Sequence, residues 1–223
     1  MHNGHSDPQA TVVLVHGLWM NGTEMRWLAQ RLRQWGYQTL PFRYHTVHAS
    51  VAESSQQLWQ FLEQHFGPQM CNAPSGQPHL VCHSLGGMVA LEMLHRYPQA
   101  RIGRMVAMGT PFRGNVAAKK IAQWSWGRVI LGRSLSGALG GGGLTSAPPG
   151  REIGILAGNR SLLGVGRKLW GIGEANDGTI AVSETYLDGA TAHRVLPVVH
   201  MGLLFSETAS RMVYQFISTG RFE

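Results

Sequence analysis

Residues 79–87, which read His-Leu-Val-Cys-His-Ser-Leu-Gly-Gly, decide how this chain folds. Residues 79–82 have the pattern of a short buried strand, and residues 85–97 have the spacing of a helix. Ser84 therefore stands at a sharp strand-to-helix turn, which lifts a serine hydroxyl above the edge of a sheet. Such a turn normally reads Gly-x-Ser-x-Gly, and here Cys82 takes the place of the first glycine while Gly86 keeps the second. The competing interpretation is an ordinary junction in which Ser84 only caps the helix.

Short β-rich runs alternate with longer helical patterns along the rest of the chain. The predicted strands are residues 11–15, 37–44, 79–82, 104–108, 153–156 and 194–198, and the predicted helices are residues 21–35, 49–66, 85–97 and 202–217. This alternation predicts an α/β fold with about six mostly parallel strands and helices on both faces of the sheet. At 223 residues, the chain is expected to form a single domain over residues 1–223.

Residues 112–150 form a long insertion after the fourth predicted strand. Trp124 and Trp126 lie in its first half, and four consecutive glycines, Gly140–Gly143, lie in its second half. We expect a helix followed by a flexible hinge, which together act as a cap or lid rather than a second domain. Trp19, Phe112, Trp124 and Trp126 are the predicted residues of the substrate pocket and lid.

The positive charge is concentrated in one part of the chain. The net charge is +7, but residues 113–168 contain nine Lys and Arg residues and one acid, Glu152, and so carry +8. A basic segment can attract an anionic lipid or a phosphate-bearing substrate, although it is also typical of a solvated surface. We predict no nucleic-acid partner, and the sequence indicates no oligomeric state.

Several classes of protein are excluded by what the sequence lacks. The two cysteines, Cys71 and Cys82, form neither a disulfide framework nor a Cys-x-x-Cys pair, and the histidines are scattered without metal-ligand spacing. The scattered histidines predict no metal site. No nucleotide-binding glycine motif is present, so we also expect no cofactor. No apolar run reaches the ~18 residues of a membrane helix, and the first residues are polar. We therefore expect a cytoplasmic protein, unless a leader was removed before this numbering begins.

A serine nucleophile needs a base, and the base needs an orienting acid. His200 follows the last predicted strand directly and is our choice of base over His193, which precedes that strand. Asp177, in an Asp-Gly turn before a short apolar run, is our choice of acid. Asp188 is the reserve, and Glu184 and Glu174 are further candidates, Glu174 being the weakest.

An oxyanion would need two backbone N–H donors near the serine. One is predicted at Leu85, the first residue of the helix, and the other at Leu18, in the loop after the first strand. Gly17 would let that loop approach the turn, which Cys82, His83 and Gly86 support. His16 is expected to brace the loop rather than to react.

At this point the chain resembles the α/β-hydrolase superfamily, and within it the small bacterial lipase and esterase branch. The resemblance covers about residues 11–217 and rests on segments 16–18, 83–87, 109–111 with 113–114, 176–178 and His200. Two departures are visible: Cys82 replaces a glycine, and the leading antiparallel hairpin of the family is missing. The resemblance implies a minimal α/β-hydrolase fold with about six strands and a Ser84–Asp177–His200 triad.

Three functions follow as hypotheses. The first is a serine hydrolase that cleaves carboxylic (acyl) esters of small molecules through an acyl-enzyme, with an apolar acyl group. The second is a thioesterase or acyltransferase that uses a phosphate-bearing acyl donor, which the basic segment would suit. The third is a non-catalytic binding protein on a hydrolase fold, which a missing triad residue would favour; none is missing.

Overall fold

A computed structural model describes residues 10–67, 77–124, 126–135 and 144–223. The described residues form one six-stranded sheet in the order β2-β1-β3-β4-β5-β6, and every pair of neighbouring strands is parallel. The strands are β1 Thr11–Val15, β2 Gln38–Phe42, β3 His79–His83, β4 Met105–Met108, β5 Ile153–Gly158 and β6 Ala192–Leu196. The prediction of about six mostly parallel strands is confirmed.

The helices lie on both faces of this sheet. They are α1 Arg26–Gln34, α2 Val51–Phe66, α3 Leu85–Arg96, α4 Val116–Ala122, α5 Gly127–Leu131, α6 Val165–Trp170, α7 Gly202–Phe205 and α8 Glu207–Thr219. Successive side chains of a strand point to opposite faces, so Val13 and Val15 pack in the layer that holds α2 and α3. Val12 and Leu14 pack in the other layer, which holds α1, α7 and α8.

Several element boundaries differ from prediction for local reasons. Helix α1 begins at Arg26, after a 3-10 turn, because Gly22 has a left-handed backbone (φ 91°) just before that turn. Strand β6 ends at Leu196 rather than at residue 198, because Pro197 cannot donate the next hydrogen bond of the ladder. The last predicted helix is two helices, since the side chain of Ser206 caps the start of α8.

The insertion at residues 112–150 differs most from prediction. Instead of one helix, it contains α4 and α5, joined by a tight turn in which a Cβ on Gly127 would collide with the carbonyl oxygen of Ile121. A 3-10 turn over Gly132–Leu135 follows α5. The predicted glycine hinge, Gly140–Gly143, and Cys71 lie outside the described residues.

Helix α6, which the sequence analysis missed, follows β5. It ends at Gly171, whose left-handed backbone (φ 70°) closes the helix, and it packs against α4 of the insertion. The carboxyl ends of the strands, the insertion and α6 thus lie around one edge of the sheet, where open α/β folds bind ligands. Within the described ranges, none of the helices is both long and apolar enough to cross a membrane.

Candidate active site

Ser84 occupies a strained turn between β3 and α3. Its backbone has φ 52° and ψ −123°, a conformation that side-chain-bearing residues rarely adopt and that is concentrated at functional sites. The turn is fixed on both sides, because the Ser84 N–H donates to the carbonyl oxygen of Met108 (2.9 Å). The carbonyl oxygen of Ser84 accepts from the hydroxyl of Thr110 (2.9 Å). The strain is therefore held by β4 and the loop that follows it.

Different contacts require a small residue at Cys82 and at Gly86, which flank Ser84. A Cβ on Gly86 would collide with the carbonyl oxygen of Val15, so only glycine lets α3 start against the end of β1. Cys82 is fully buried within β3, and burial raises the pKa of its thiol. A neutral thiol is not nucleophilic, so Cys82 serves packing alone.

Asp177 and His200 meet at two points. Nδ1–H of His200 donates to Oδ2 of Asp177 (2.6 Å), and the backbone N–H of His200 donates to the carbonyl oxygen of Asp177 (2.9 Å). The second carboxylate oxygen, Oδ1, accepts from the N–H groups of Thr179 (3.0 Å) and Ile180 (2.7 Å). The Asp177 side chain is only 1% exposed. A carboxylate held this way fixes the imidazole tautomer, which leaves the lone pair of His200 on Nε2.

The other candidate acids are used elsewhere. Asp188 forms an exposed ion pair with Arg113 (2.6 Å), and Glu174 accepts from the hydroxyl of Ser183 (2.7 Å). Glu184 is buried and accepts from the backbone N–H groups of Ala181 and Val116. His193, the alternative base, lies inside β6 rather than before it. The structure thus brings Asp177, and none of the reserves, to His200.

Two backbone N–H groups near Ser84 are unused. Leu18 and Leu85 have no hydrogen-bond partner for their N–H groups anywhere in the described part of the chain. The loop that carries Leu18 passes close to the serine, because a Cβ on Gly17 would stand 3.0 Å from the Cβ of Ser84. Both donors were predicted for an oxyanion hole, and both are free to donate a hydrogen bond to an oxyanion.

These groups open onto a cavity of about 290 Å³. Ser84, His200, Leu18 and Leu85 line one part of it. The remaining walls are mostly apolar. They come from the insertion, from α6, from the segment between α6 and β6, and from the loops after β1, β4 and β6: Trp19, Met20, Pro111, Asn115, Ala117, Ala118, Ile121, Leu131, Trp170, Thr179, Ile180 and Met201. Among the described residues, no group of three or more His, Cys, Asp or Glu is placed to hold a metal ion.

Comparison with known proteins decides the family. The family model described as serine aminopeptidase, S33, matches residues 6–148. The chain belongs to this α/β-hydrolase family. No curated protein matches the sequence of this α/β-hydrolase.

Solved structures share the fold of this α/β-hydrolase at low sequence identity. The mature form of the Bacillus licheniformis lipase BlEst2 is 19% identical with a TM-score of 0.76, over 97% of this chain and 94% of that one. Phospholipase PlaB from Legionella pneumophila is 13% identical with a TM-score of 0.71, over 95% of this chain and 60% of that one. A soluble variant of the Saccharomyces cerevisiae monoglyceride lipase is 12% identical with a TM-score of 0.67, over 100% and 90%.

The predicted pocket residues of this α/β-hydrolase need correction. Trp19 does line the cavity, but Phe112 is fully buried in the core beside α2 and α3. Trp124 and Trp126 lie in the turn between α4 and α5, pack on each other with ring centroids 4.8 Å apart, and do not line the cavity. The tight turn at Gly127 turns both rings toward solvent, where they are 45% and 52% exposed.

Sequence reasoning missed two residues of the site. Trp170, at the end of α6, lines the cavity in place of the two predicted tryptophans. Asn115 also lines it, and its amide donates to Glu184 (3.2 Å) and to the carbonyl oxygen of Thr179 (3.0 Å). The sequence carries no signal for Trp170, which lies just beyond the basic segment, and none for the Asn115–Glu184 pair, whose members are 69 residues apart.

Proposed function

We propose that this α/β-hydrolase is a serine hydrolase that cleaves carboxylic esters with an apolar acyl group through an acyl-enzyme. Ser84 is the nucleophile, His200 the base, Asp177 the acid that orients the base, and Leu18 and Leu85 donate to the oxyanion. The observation that carries the proposal is the 2.6 Å contact between His200 Nδ1 and Asp177 Oδ2, in a cavity that His200 and the strained Ser84 both line.

The proposed reaction has two steps that balance in protons. Oγ of Ser84 attacks the ester carbonyl carbon while Nε2 of His200 takes its proton, and the oxyanion accepts hydrogen bonds from the two backbone N–H groups. The tetrahedral intermediate then expels the alcohol, which receives that proton from His200. In the second step a water molecule, deprotonated by His200, attacks the acyl-enzyme, and Ser84 recovers its proton as the carboxylic acid leaves.

The walls of the cavity favour an apolar acyl group. Ile121, Leu131, Ile180 and Trp170 surround it, and none of the described lining residues is acidic. An aminopeptidase, as in the family description, would need an anionic group to hold the free amino group of its substrate. The structural neighbours named as lipases agree with an ester substrate.

Replacing the nucleophile tests the proposal. Ser84→Ala should lower kcat on p-nitrophenyl butyrate by several orders of magnitude while the fold is retained, because nucleophile and base act as a unit. Ser218→Ala, on the exposed end of α8, is the matched control and should keep full activity. Labelling by a fluorophosphonate should occur in the control and be lost in Ser84→Ala. A Ser84→Ala protein that keeps more than a few percent of the activity contradicts the proposal. A wild-type protein that the fluorophosphonate does not label favours a non-catalytic binding protein.

A thioesterase or acyltransferase with a phosphate-bearing donor is the second candidate. It is favoured by Arg43, His45 and His48, which line a cavity beside the proposed active site. A parallel assay of aminoacyl p-nitroanilides, p-nitrophenyl esters and acyl-coenzyme A separates peptidase, esterase and thioesterase activity. Attraction of an anionic lipid by residues 113–168 stays a prediction.

A further inference from the structure

A second cavity adjoins the proposed active site. It has a volume of about 440 Å³ and lies at the carboxyl ends of β1 and β2. Trp19 and Met20, in the loop after β1, line both this cavity and the one that contains Ser84. The two cavities are therefore neighbouring halves of one edge of the sheet, with the loop that carries the proposed oxyanion donor Leu18 between them.

Trp19 lies between the two cavities and lines both of them. Its backbone is left-handed (φ 60°), a conformation that residues with a side chain rarely adopt. The strain is held from both sides, because its N–H donates to the hydroxyl of Thr46 (3.1 Å) and its indole Nε1–H donates to the carbonyl oxygen of Ile130 (2.9 Å). Thr46 lines the second cavity, and Ile130 belongs to the insertion. A strained residue tied to both sides of a cleft suggests a functional boundary.

The two halves have opposite chemistry. The first is mostly apolar, whereas the second is lined by Arg43, His45, His48, Asn21 and Gln57, together with the buried His16. No described residue lining the second cavity is acidic. The acid that acts electrostatically on His16 is Glu24, and its carboxylate accepts a hydrogen bond from the N–H of Gly22 (3.0 Å).

The polar groups of the second cavity are available for a ligand. Arg43 is exposed and makes no ion pair or hydrogen bond with any described residue. Nε2 of His16, in a fully buried side chain, has no hydrogen-bond partner in the described part of the chain. The rings of His45 and His48 lie edge to face, with centroids 6.3 Å apart. A free guanidinium among imidazoles and amides matches the donors that bind phosphate oxygens.

We infer that the second cavity binds a phosphate group on the alcohol or thiol portion of the acyl substrate. This inference rests on the proposed function, because it places the acyl group in the apolar cavity and the leaving group beyond Trp19. The substrate class is an acyl ester or thioester whose leaving group carries phosphate. That phosphate can belong to a glycerophosphate or to a phosphopantetheine carrier, and the two sources require separate measurements.

The first measurement detects binding without catalysis. Glycerol 3-phosphate and coenzyme A are titrated separately into the Ser84→Ala protein by calorimetry, alongside uncharged glycerol. Binding of either phosphate compound is expected, and the tighter one identifies the source. Arg43→Gln combined with His48→Gln should weaken that binding at least about tenfold, and added salt should weaken it in the unmodified cavity. Arg101→Gln, an exposed arginine before β4, is the control of equal charge and should bind as Ser84→Ala does.

The second measurement compares substrates that share one acyl group. The ratio of kcat/KM for a 1-acyl-glycerol 3-phosphate to that for the neutral 1-acyl-glycerol should fall at least about tenfold in the Arg43, His48 double variant, and stay constant in Arg101→Gln. The same ratio is taken for acyl-coenzyme A against a neutral thioester. If neither phosphate compound binds, or if charged and neutral substrates lose activity equally, the inference is overturned. That result is distinct from failure of the proposed function, which would appear as full ester hydrolysis by Ser84→Ala.

Discussion

The ring of His83 packs against the ring of His200, with centroids 4.7 Å apart and planes tilted by 46°. Nε2–H of His83 also donates to the carbonyl oxygen of His200 (3.3 Å). His83 is fully buried, and this burial, together with the proximity of His200, holds its pKa well below the ordinary value of 6.5. His83 therefore stays neutral and supports the proposed base from inside the turn that carries the proposed nucleophile.

This contact predicts that His83 is a positioning residue. His83→Leu should lower kcat about tenfold with little change in KM, because it removes the donor to His200 but leaves the cavity walls intact. His83→Gln keeps an N–H donor of similar reach and should restore most of the activity. The readout is the pH dependence of kcat together with thermal unfolding. A Leu variant with unaltered kcat and pH profile would show that the contact is only structural.

Trp170 should select for long acyl chains. It lines the apolar cavity, so Trp170→Ala should raise KM about tenfold for p-nitrophenyl octanoate and leave p-nitrophenyl acetate nearly unaffected. Trp124→Ala is the matched control, because Trp124 is an exposed tryptophan that contacts Trp170 at 6.5 Å between ring centroids but does not line the cavity. Equal changes for both esters, or a larger effect at Trp124, would remove Trp170 from the acyl site.

Local patterns were enough to predict the sheet and the turn at Ser84. A continuous apolar run such as Thr11–Val15 has few alternatives to a strand buried on both faces, and the predicted bounds match the observed strand. Asp177 could be selected over Asp188 because its turn leads into an apolar run that the fold buries. In both cases the deciding information lies within a few residues.

The walls of the cavity could not be predicted in this way. Trp124 and Trp126 fit a helical pattern, but Gly127 must pack against the backbone of Ile121. The helix is interrupted there, and both tryptophans are exposed in the resulting turn. Phe112 is apolar enough for either a pocket or a core, and only the packing of α2 and α3 decides between them. Such choices depend on contacts between residues distant in sequence.

Glu184 should couple the loop of Asp177 to the insertion. Its carboxylate accepts from Ala181 N–H (2.8 Å) and from Val116 N–H (2.6 Å), the first residue of α4. Glu184→Ala leaves both donors buried without partners and should cost about 1–3 kcal/mol of unfolding free energy, with a loss of kcat. Glu63→Ala, on the exposed side of α2, is the control and should change neither. The measurements are urea unfolding and ester hydrolysis, and an unaffected Glu184→Ala would show that the two segments are held independently.

His79 should make the fold sensitive to acid. Burial, with a smaller effect from Arg104, lowers the pKa of His79 from 6.5 to about 4, and its Nδ1 accepts from the backbone N–H of Arg104 (2.9 Å). Because the pKa is lower in the folded than in the unfolded chain, the unfolded chain binds protons first as the pH falls. The contribution of His79 to stability is therefore present above about pH 6.5 and is lost as the pH falls toward 4.

Protonation of His79 should lower the free energy of unfolding by about 2 kcal/mol between pH 7.5 and pH 5. His79→Asn keeps an acceptor near the position of Nδ1 but cannot be protonated in this range. We expect urea unfolding of the variant to lose about 2 kcal/mol less than the wild type does over that interval. His16, His83 and His193 also have lowered pKa values, so the variant should retain part of the acid sensitivity. The control is His65→Asn, on the exposed surface of α2, which should behave as the wild type. Identical pH dependence of unfolding in the wild type and His79→Asn would rule out His79 as a source of acid lability.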